Sequence, residues 1–494
     1  MKKEINLLNK YQKEIILLSY IENLMDWDIE TYMPKDGAKS RAEQVAFISE
    51  LIHKKITSDD LFRVLNNLKN SKLKGFDRVL VGKLDRIVER KRKLPEGFVK
   101  ELSKTKTLAT MHWREARKKN NFKRFEPYLK KIVELKKQES NFIELKGHPY
   151  NSLLDEFEEG MTTEKLKPIF NKLKKDLVPL HKKIEKTGLY KDDIEKKEFN
   201  FNPEKLKILS KDMSIRIGLN ESNSRIDISP HPFSQIVGLD DVRITTNFNH
   251  GGLSSILSVL HEAGHAIYDL NMPRKYSYTI LYDAPSFGAH ESQSKFWEEI
   301  IGKSKPFWKY YFPRFNKEFK LNMNFEDWYR YVNQITKDPI RINSDEIAYC
   351  LHIILRFELE SRLIDGSIEV KDLPEIWNEN MEEYLGIEPK NDSEGVLQDV
   401  HWAHASIGYF PSYAIGVVYA SQLYKKMLQD IKNMDIQIEN GNFGNVTNWL
   451  RKNFHEYGNT MTAEEIMKKT CKEGLNPDVF IKYLNKKYSG IYEL

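Results

Sequence analysis

The segment His261-Glu262-Ala263-Gly264-His265 constrains this chain more than any other. It has the pattern H-E-x-x-H and lies inside the apolar run Leu253, Ile256, Leu257, Val259, Leu260, Ala266, Ile267 and Leu270. Apolar residues at that spacing predict a helix with one buried face. Two histidines four apart on a helix stand one turn plus about 40° apart, so both imidazoles can reach one metal ion. Glu262 then projects beside the ion, placed to take a proton from a metal-bound water without being a ligand itself. With 13 histidines in the chain, such a pattern arises by chance on the order of 0.02 times. The bland alternative is a helix whose histidines are satisfied by protein partners. Against it, imidazole and carboxylate groups on a mostly apolar helix cost free energy unless something binds them.

A catalytic metal site keeps three protein ligands and one open position, so a third ligand must lie elsewhere. A metzincin would place glycine at 268 and histidine at 271; this chain has Tyr268 and Asn271. Downstream, His290-Glu291-Ser292-Gln293 opens a second amphipathic pattern with Phe296, Trp297 and Ile300, and Glu291 follows His265 by 26 residues. Glu291 suits a carboxylate ligand delivered by that helix, and equally an N-terminal charge favoured by the helix dipole. His290 is an alternative ligand, and Asp269 a weaker candidate for supporting one.

At 494 residues the chain exceeds one ordinary core, which suggests two to four lobes. A net charge of +6 is small for that length and does not call for nucleic acid or an anionic membrane. The stretch Lys91 to Lys131 interleaves basic residues with Trp113, Phe122, Phe125 and Tyr128, but Glu101, Glu115 and Glu126 break it, so solvated helix faces are the better reading. Cys350 and Cys471 are too few for a disulfide framework and read as reduced thiols in a cytoplasmic protein. Glu4, Asn9 and Lys10 interrupt any signal-peptide core, and the most apolar piece, Tyr413 to Ala420, is too short to span a bilayer. No membrane association is expected.

Helical periodicity dominates. In the first segment Leu8, Tyr11, Ile15, Leu18, Ile21 and Leu24 define one apolar face. The pattern returns at Arg41–Ile56, Phe76–Arg90, Phe98–Arg117, Tyr128–Ile143, Lys165–Lys186 and Pro203–Arg216. Between Ser224 and Asn249, alternation at Arg225–Ser229 and Val242–Thr246 predicts a small sheet, after which helices resume to the C-terminus. No flexible linker separates the parts. The expectation is one unit, residues 1–494, with a helical part over 1–200 forming one wall of a cleft and a catalytic part over 201–494.

These motifs together resemble the thermostable (Taq) carboxypeptidase family of zinc-type metallopeptidases. In order they are His231-Pro232-Phe233; Asp241, Arg243 and Thr245; the H-E-x-x-H; His290 to Gln293; Ile340, Arg341 and Asp345; and Gly395, Gln398, Asp399, His401 and Trp402. Trp27, Asp28, Thr31, Met33, Pro34, Arg41 and Gln44 extend the likeness to the N-terminus. The resemblance implies a mainly α, two-lobed fold with a deep central cleft and a small sheet near the active site, similar to angiotensin-converting enzyme and neurolysin. It implies removal of single C-terminal residues from peptides and a homodimer. It also implies Glu291 as third ligand of one divalent ion, zinc first and cobalt second, with His401 and Tyr409 donating to the oxyanion.

A terminal carboxylate is best held by an arginine fork, for which Arg341 and Arg243 are the candidates. The motifs holding His231, Asp241 and Arg243 resemble those that limit substrate length. One departure concerns loop shape: the family favours glycine near the position held by His404-Ala405. An endo-acting or dipeptidyl oligopeptidase with the same metal site, and a non-catalytic helical binding protein with a degenerate one, are the alternatives.

Overall fold

The computed structural model describes residues 1–189, 199–249 and 252–494. Each helix read from periodicity forms, extended by a residue or a few: Lys2–Thr31, Ala38–Ile56, Gly75–Arg92, Glu96–Lys118, Glu126–Ile143, Thr163–Thr187 and Pro203–Ile217. Two short helices, Asp59–Lys69 and Asn151–Phe157, escape the pattern. The first is announced by Ser58, whose hydroxyl accepts from the Leu61 N–H at 3.3 Å. No helix among the described residues is long and apolar enough to cross a membrane.

The first helix departs from expectation. Leu8, Gln12 and Trp27 are buried, whereas Ile21 and Leu24 stay 47% and 41% exposed. The reason is packing: this helix lies against Ala38–Ile56, Asp59–Lys69 and one strand, which cover only part of its apolar stripe. Leu8 joins Leu61, Leu65, Leu68, Leu84 and Val88 in a small separate core. Everything from about Ala109 onward shares one large core. Trp113, Phe122 and Phe125 are buried in it, while Tyr128 is half-buried with its ring stacked on His112 at 3.9 Å.

The sheet has three strands: β1 (Ser224–Ile228), β2 (Phe233–Gly238) and β3 (Asp241–Thr246), in the order β1-β3-β2. β1 runs parallel to β3 with Arg225 opposite Arg243, and β2 runs antiparallel with Gln235 opposite Arg243. Two cations side by side repel. Here each guanidinium is paired with an aspartate, Asp227 or Asp241, and both lie over the Trp27 ring, at 5.2 and 4.3 Å. The Asn23 amide donates to the Ile236 carbonyl at 2.8 Å, and the Tyr32 hydroxyl to Asp227 at 2.7 Å. The sheet thus moors the N-terminal helices on one side and packs on the Leu253–Asn271 helix with the other.

Candidate metal centre

His261, Glu262 and His265 lie in the Leu253–Asn271 helix, and Glu291 in the Phe287–Lys295 helix. The two helices touch backbone to backbone at Gly264, where a Cβ would stand 2.5 Å from the Gln293 carbonyl oxygen and 2.7 Å from Ser294 Cα. From the other side comes Gly416 of the Pro411–Asp430 helix, where a Cβ would stand 2.7 Å from Glu291 Cγ. Two glycines inside helices therefore set how close the carboxylate comes.

Oε2 of Glu291 stands 3.8 Å from Nε2 of His261 and 3.7 Å from Nε2 of His265, and the two rings cross at 81°. Bonds of about 2.0–2.1 Å to a tetrahedral ion place its donors roughly 3.3 Å apart, close to the two spacings that Glu291 makes with the histidines. The donor chemistry fits. Glu291 Oε1 is buried without a hydrogen-bond partner, and Glu262, Glu291 and Glu298 surround two imidazoles with an excess of negative charge that a divalent cation offsets. Burial, reinforced by Glu291 and Glu298, pushes the Glu262 carboxyl up to about 7.

Glu298 was not singled out by the sequence pattern. Its Oε2 accepts from His261 Nδ1 at 2.8 Å, which turns the Nε2 lone pair toward Glu291, and from Lys295 Nζ at 2.8 Å. Burial opposes its ionisation, but Lys295 and His261 hold it well below its ordinary value. The sequence offered only its spacing, two helical turns after Glu291; the π-helical turn between Phe296 and Ile301, a feature common at functional sites, emerges only in the fold. His290 does not join the ligands. Its Nε2 bonds Asp269 at 3.0 Å and its ring stacks on His265 at 4.3 Å, so Asp269 supports His290 instead.

Facing these groups is a second cluster. His401 and Tyr409 lie with ring centroids 5.6 Å apart, and His401 Nε2 is 3.2 Å from the Tyr413 hydroxyl, another group the motifs did not mark although it follows Tyr409 by one turn. Burial, together with Arg341 and Arg356, lowers His401 to about 3 and keeps it neutral. Burial, the neighbouring Tyr413 and the charge of Glu291 raise the Tyr409 hydroxyl, so it stays a donor. Glu158 accepts from the Gly288 N–H at 2.5 Å and the Ser412 hydroxyl at 2.6 Å, tying together the starts of the helices that carry Glu291 and Tyr413.

Arg341, a candidate for the terminal carboxylate, is 5% exposed, with Nη2 2.9 Å from Asp399 and Nη1 3.2 Å from the Tyr349 hydroxyl. Asp399 also accepts from Arg356 Nε at 2.7 Å. One carboxylate for two guanidiniums leaves a surplus positive charge beside Tyr349, Tyr413 and His401. Arg243 is fork-paired with Asp241 at 3.0 and 2.8 Å, and His231 is exposed with its carbonyl bonded by Ser229. Arg243 and Asp241 belong to β3 and His231 to the bend before β2, and none bonds the metal triad.

Comparison with known proteins agrees with this geometry. The family model described as carboxypeptidase Taq (M32) metallopeptidase matches residues 7–488. Thermostable carboxypeptidase 1 of Pyrococcus furiosus is 37% identical, across 98% of this chain and 97% of that protein. Carboxypeptidase 1 of Bacillus subtilis is 36% identical across 99% of this chain and all of that one. The crystal structure of the M32 carboxypeptidase of Deinococcus radiodurans superposes with a TM-score of 0.96 over the full length of both chains, at 31% identity.

Proposed function

The chain belongs to the carboxypeptidase Taq (M32) metallopeptidase family and is a metal-dependent peptide hydrolase, and from that premise we propose how its own residues take single amino acids from the C-terminus of a peptide. The convergence of His261, His265 and Glu291 on one point, with Glu262 beside them, carries the reading. A divalent ion bound there, zinc before cobalt, supplies Lewis acidity that acidifies water and polarises the scissile carbonyl.

Glu262 takes a proton from the attacking water and returns it to the leaving amine, roles suited to a group whose affinity for protons lies near neutrality. Neutral His401 and protonated Tyr409 donate to the oxygen of the carbonyl as it gains charge. The surplus positive charge of Arg341 and Arg356 over Asp399 supports a role in holding the substrate's terminal carboxylate, with Arg341 the nearer to Tyr349 and Tyr413. Arg243, Asp241 and His231 limit substrate length from the sheet, and residues 1–200 form one wall of the cleft. The enzyme works as a homodimer in the cytoplasm on free peptides.

The test is a product ladder from one defined peptide, run as free acid and as C-terminal amide, with and without chelator. Stepwise loss of single terminal residues from the acid, abolished by chelator and much slower for the amide, is expected; internal cuts would sink the exopeptidase reading.

A further inference from the structure

Glu360, on the Glu346–Asp365 helix, is fully buried, and its bonds come from neutral donors. Oε1 accepts from Trp402 Nε1 at 2.8 Å. Oε2 accepts from the Tyr150 hydroxyl at 2.6 Å and from the Gly408 N–H at 3.0 Å. Trp402 and Gly408 are the first and last residues of the segment separating His401 from Tyr409. That segment is strained within: Ala405 takes a left-handed φ of 55°, where a glycine would sit at ease, and Gly408 takes 102° while pressed against the Leu153 backbone. A strained turn persists only where its surroundings over-determine it. A carboxyl group whose two oxygens hold both ends of the turn meets that need, and its burial makes each bond stronger than it would be in water.

We propose that Glu360 is a positioning residue of the reaction: by holding both ends of the 402–408 turn it sets the spacing of His401 and Tyr409 toward the carbonyl oxygen. The inference rests on the role given to those two donors above. Glu360 makes no bond to the metal triad or to Arg341, and Arg356 is within reach of its charge only and not of a hydrogen bond, so its effect should separate from metal binding and fall mainly on kcat.

The experiment measures kcat, KM and chelator-competed metal affinity for Glu360→Gln, Tyr150→Phe, and Glu360→Gln combined with Ala405→Gly, beside His401→Ala and Tyr409→Phe. A glutamine keeps the shape but turns one acceptor into a donor, so at least one of the three bonds is lost. Glu360→Gln is expected to lower kcat roughly 10- to 100-fold, the scale of misplacing a reacting geometry, with KM and metal affinity unchanged. Tyr150→Phe removes the bond that fixes Oε2 beside Gly408, so the grip on that end of the turn loosens; it should lower kcat about threefold, and it decides the matter if the glutamine variant does not fold. Adding Ala405→Gly should restore part of the loss, because a glycine turn keeps its shape with less help. Full kcat in both single variants, or a loss that only follows lost metal or lost folding, overturns the proposal. Retained turnover in His401→Ala and Tyr409→Phe overturns instead the donor reading on which it stands.

Discussion

The N-terminal helices and the catalytic heart bury different materials. Between Lys2 and Arg92 the interior is apolar, and charges lie outside in exposed pairs such as Arg63 with Asp60 and Lys55 with Glu14. There the Lys55 ammonium draws the Glu14 carboxyl below its usual range. Around the metal centre both directions occur: against its burial, Glu298 is held down by Lys295 and His261. Glu158, Glu262 and Glu360 are each pushed up to about 7, chiefly by burial. Lys295, Glu299, Lys303, Glu346 and Arg356 are all less than one-tenth exposed. The first region is held by apolar periodicity and tolerates the loss of a charge. In the second, each charge survives by its assigned partners, and removing one partner strands the other at a cost of about 3–5 kcal/mol.

The contrast can be broken or sharpened by substitution. Glu262→Gln should keep its metal and lose roughly 10²- to 10⁴-fold in kcat, since an amide can neither accept nor return the proton; near-normal turnover at full metal content removes Glu262 from the base role. Glu298→Ala frees His261 to rotate and should weaken metal binding about 10- to 100-fold in a chelator competition. An unchanged affinity there would show that His261 needs no such orientation.

A smaller effect should appear in Glu158→Gln. In the folded protein Glu158 keeps its proton up to about 7, against an ordinary value of 4.5. Between those values the folded state binds the extra proton, so this group's contribution to stability is whole at low pH and declines as pH rises through the window. Glutamine does not titrate. The melting temperature of Glu158→Gln relative to the parent should therefore climb from pH 4.5 to 7 and level off above; a flat difference contradicts the burial argument. Smallest of all, Asp28→Ala removes a half-buried 2.7 Å pair with Arg41 and should cost about 1 kcal/mol, with metal affinity untouched. A loss of metal binding in that variant would mean that the N-terminal helices are not energetically separate.

Much of this was legible in the sequence. Helix periodicity located the long helices before the sheet but gave no bounds for Lys305–Phe319, Glu346–Asp365, Pro411–Asp430 or Pro477–Tyr492, and the H-E-x-x-H spacing placed His261, Glu262 and His265 on one face. Glu291 needed the family resemblance to stand above His290, because separation along the chain does not say which of two adjacent side chains turns inward. Glu298, Tyr413 and Glu360 were hidden for a related reason: each acts through partners remote in sequence, on helices whose rotation follows from packing. The expected one-sided burial of the first helix failed at Ile21 and Leu24, since an apolar stripe reports what a helix can cover and not what is there to cover it. The departure at His404-Ala405 turned out to be conformational, with Ala405 adopting the left-handed geometry that a glycine would take without strain.

The two glycines that flank the Glu291 helix reach beyond geometry. With Gly264 closing one side and Gly416 the other, that helix has no room to slide, so Glu291, the proposed third ligand, cannot be retuned by moving it. Shortening Glu291 to aspartate would withdraw the oxygen by one methylene with no compensating shift. An engineer seeking a different metal preference would have to respace three helices together, which makes ion selectivity here a property of interhelical distance as much as of the ligands themselves.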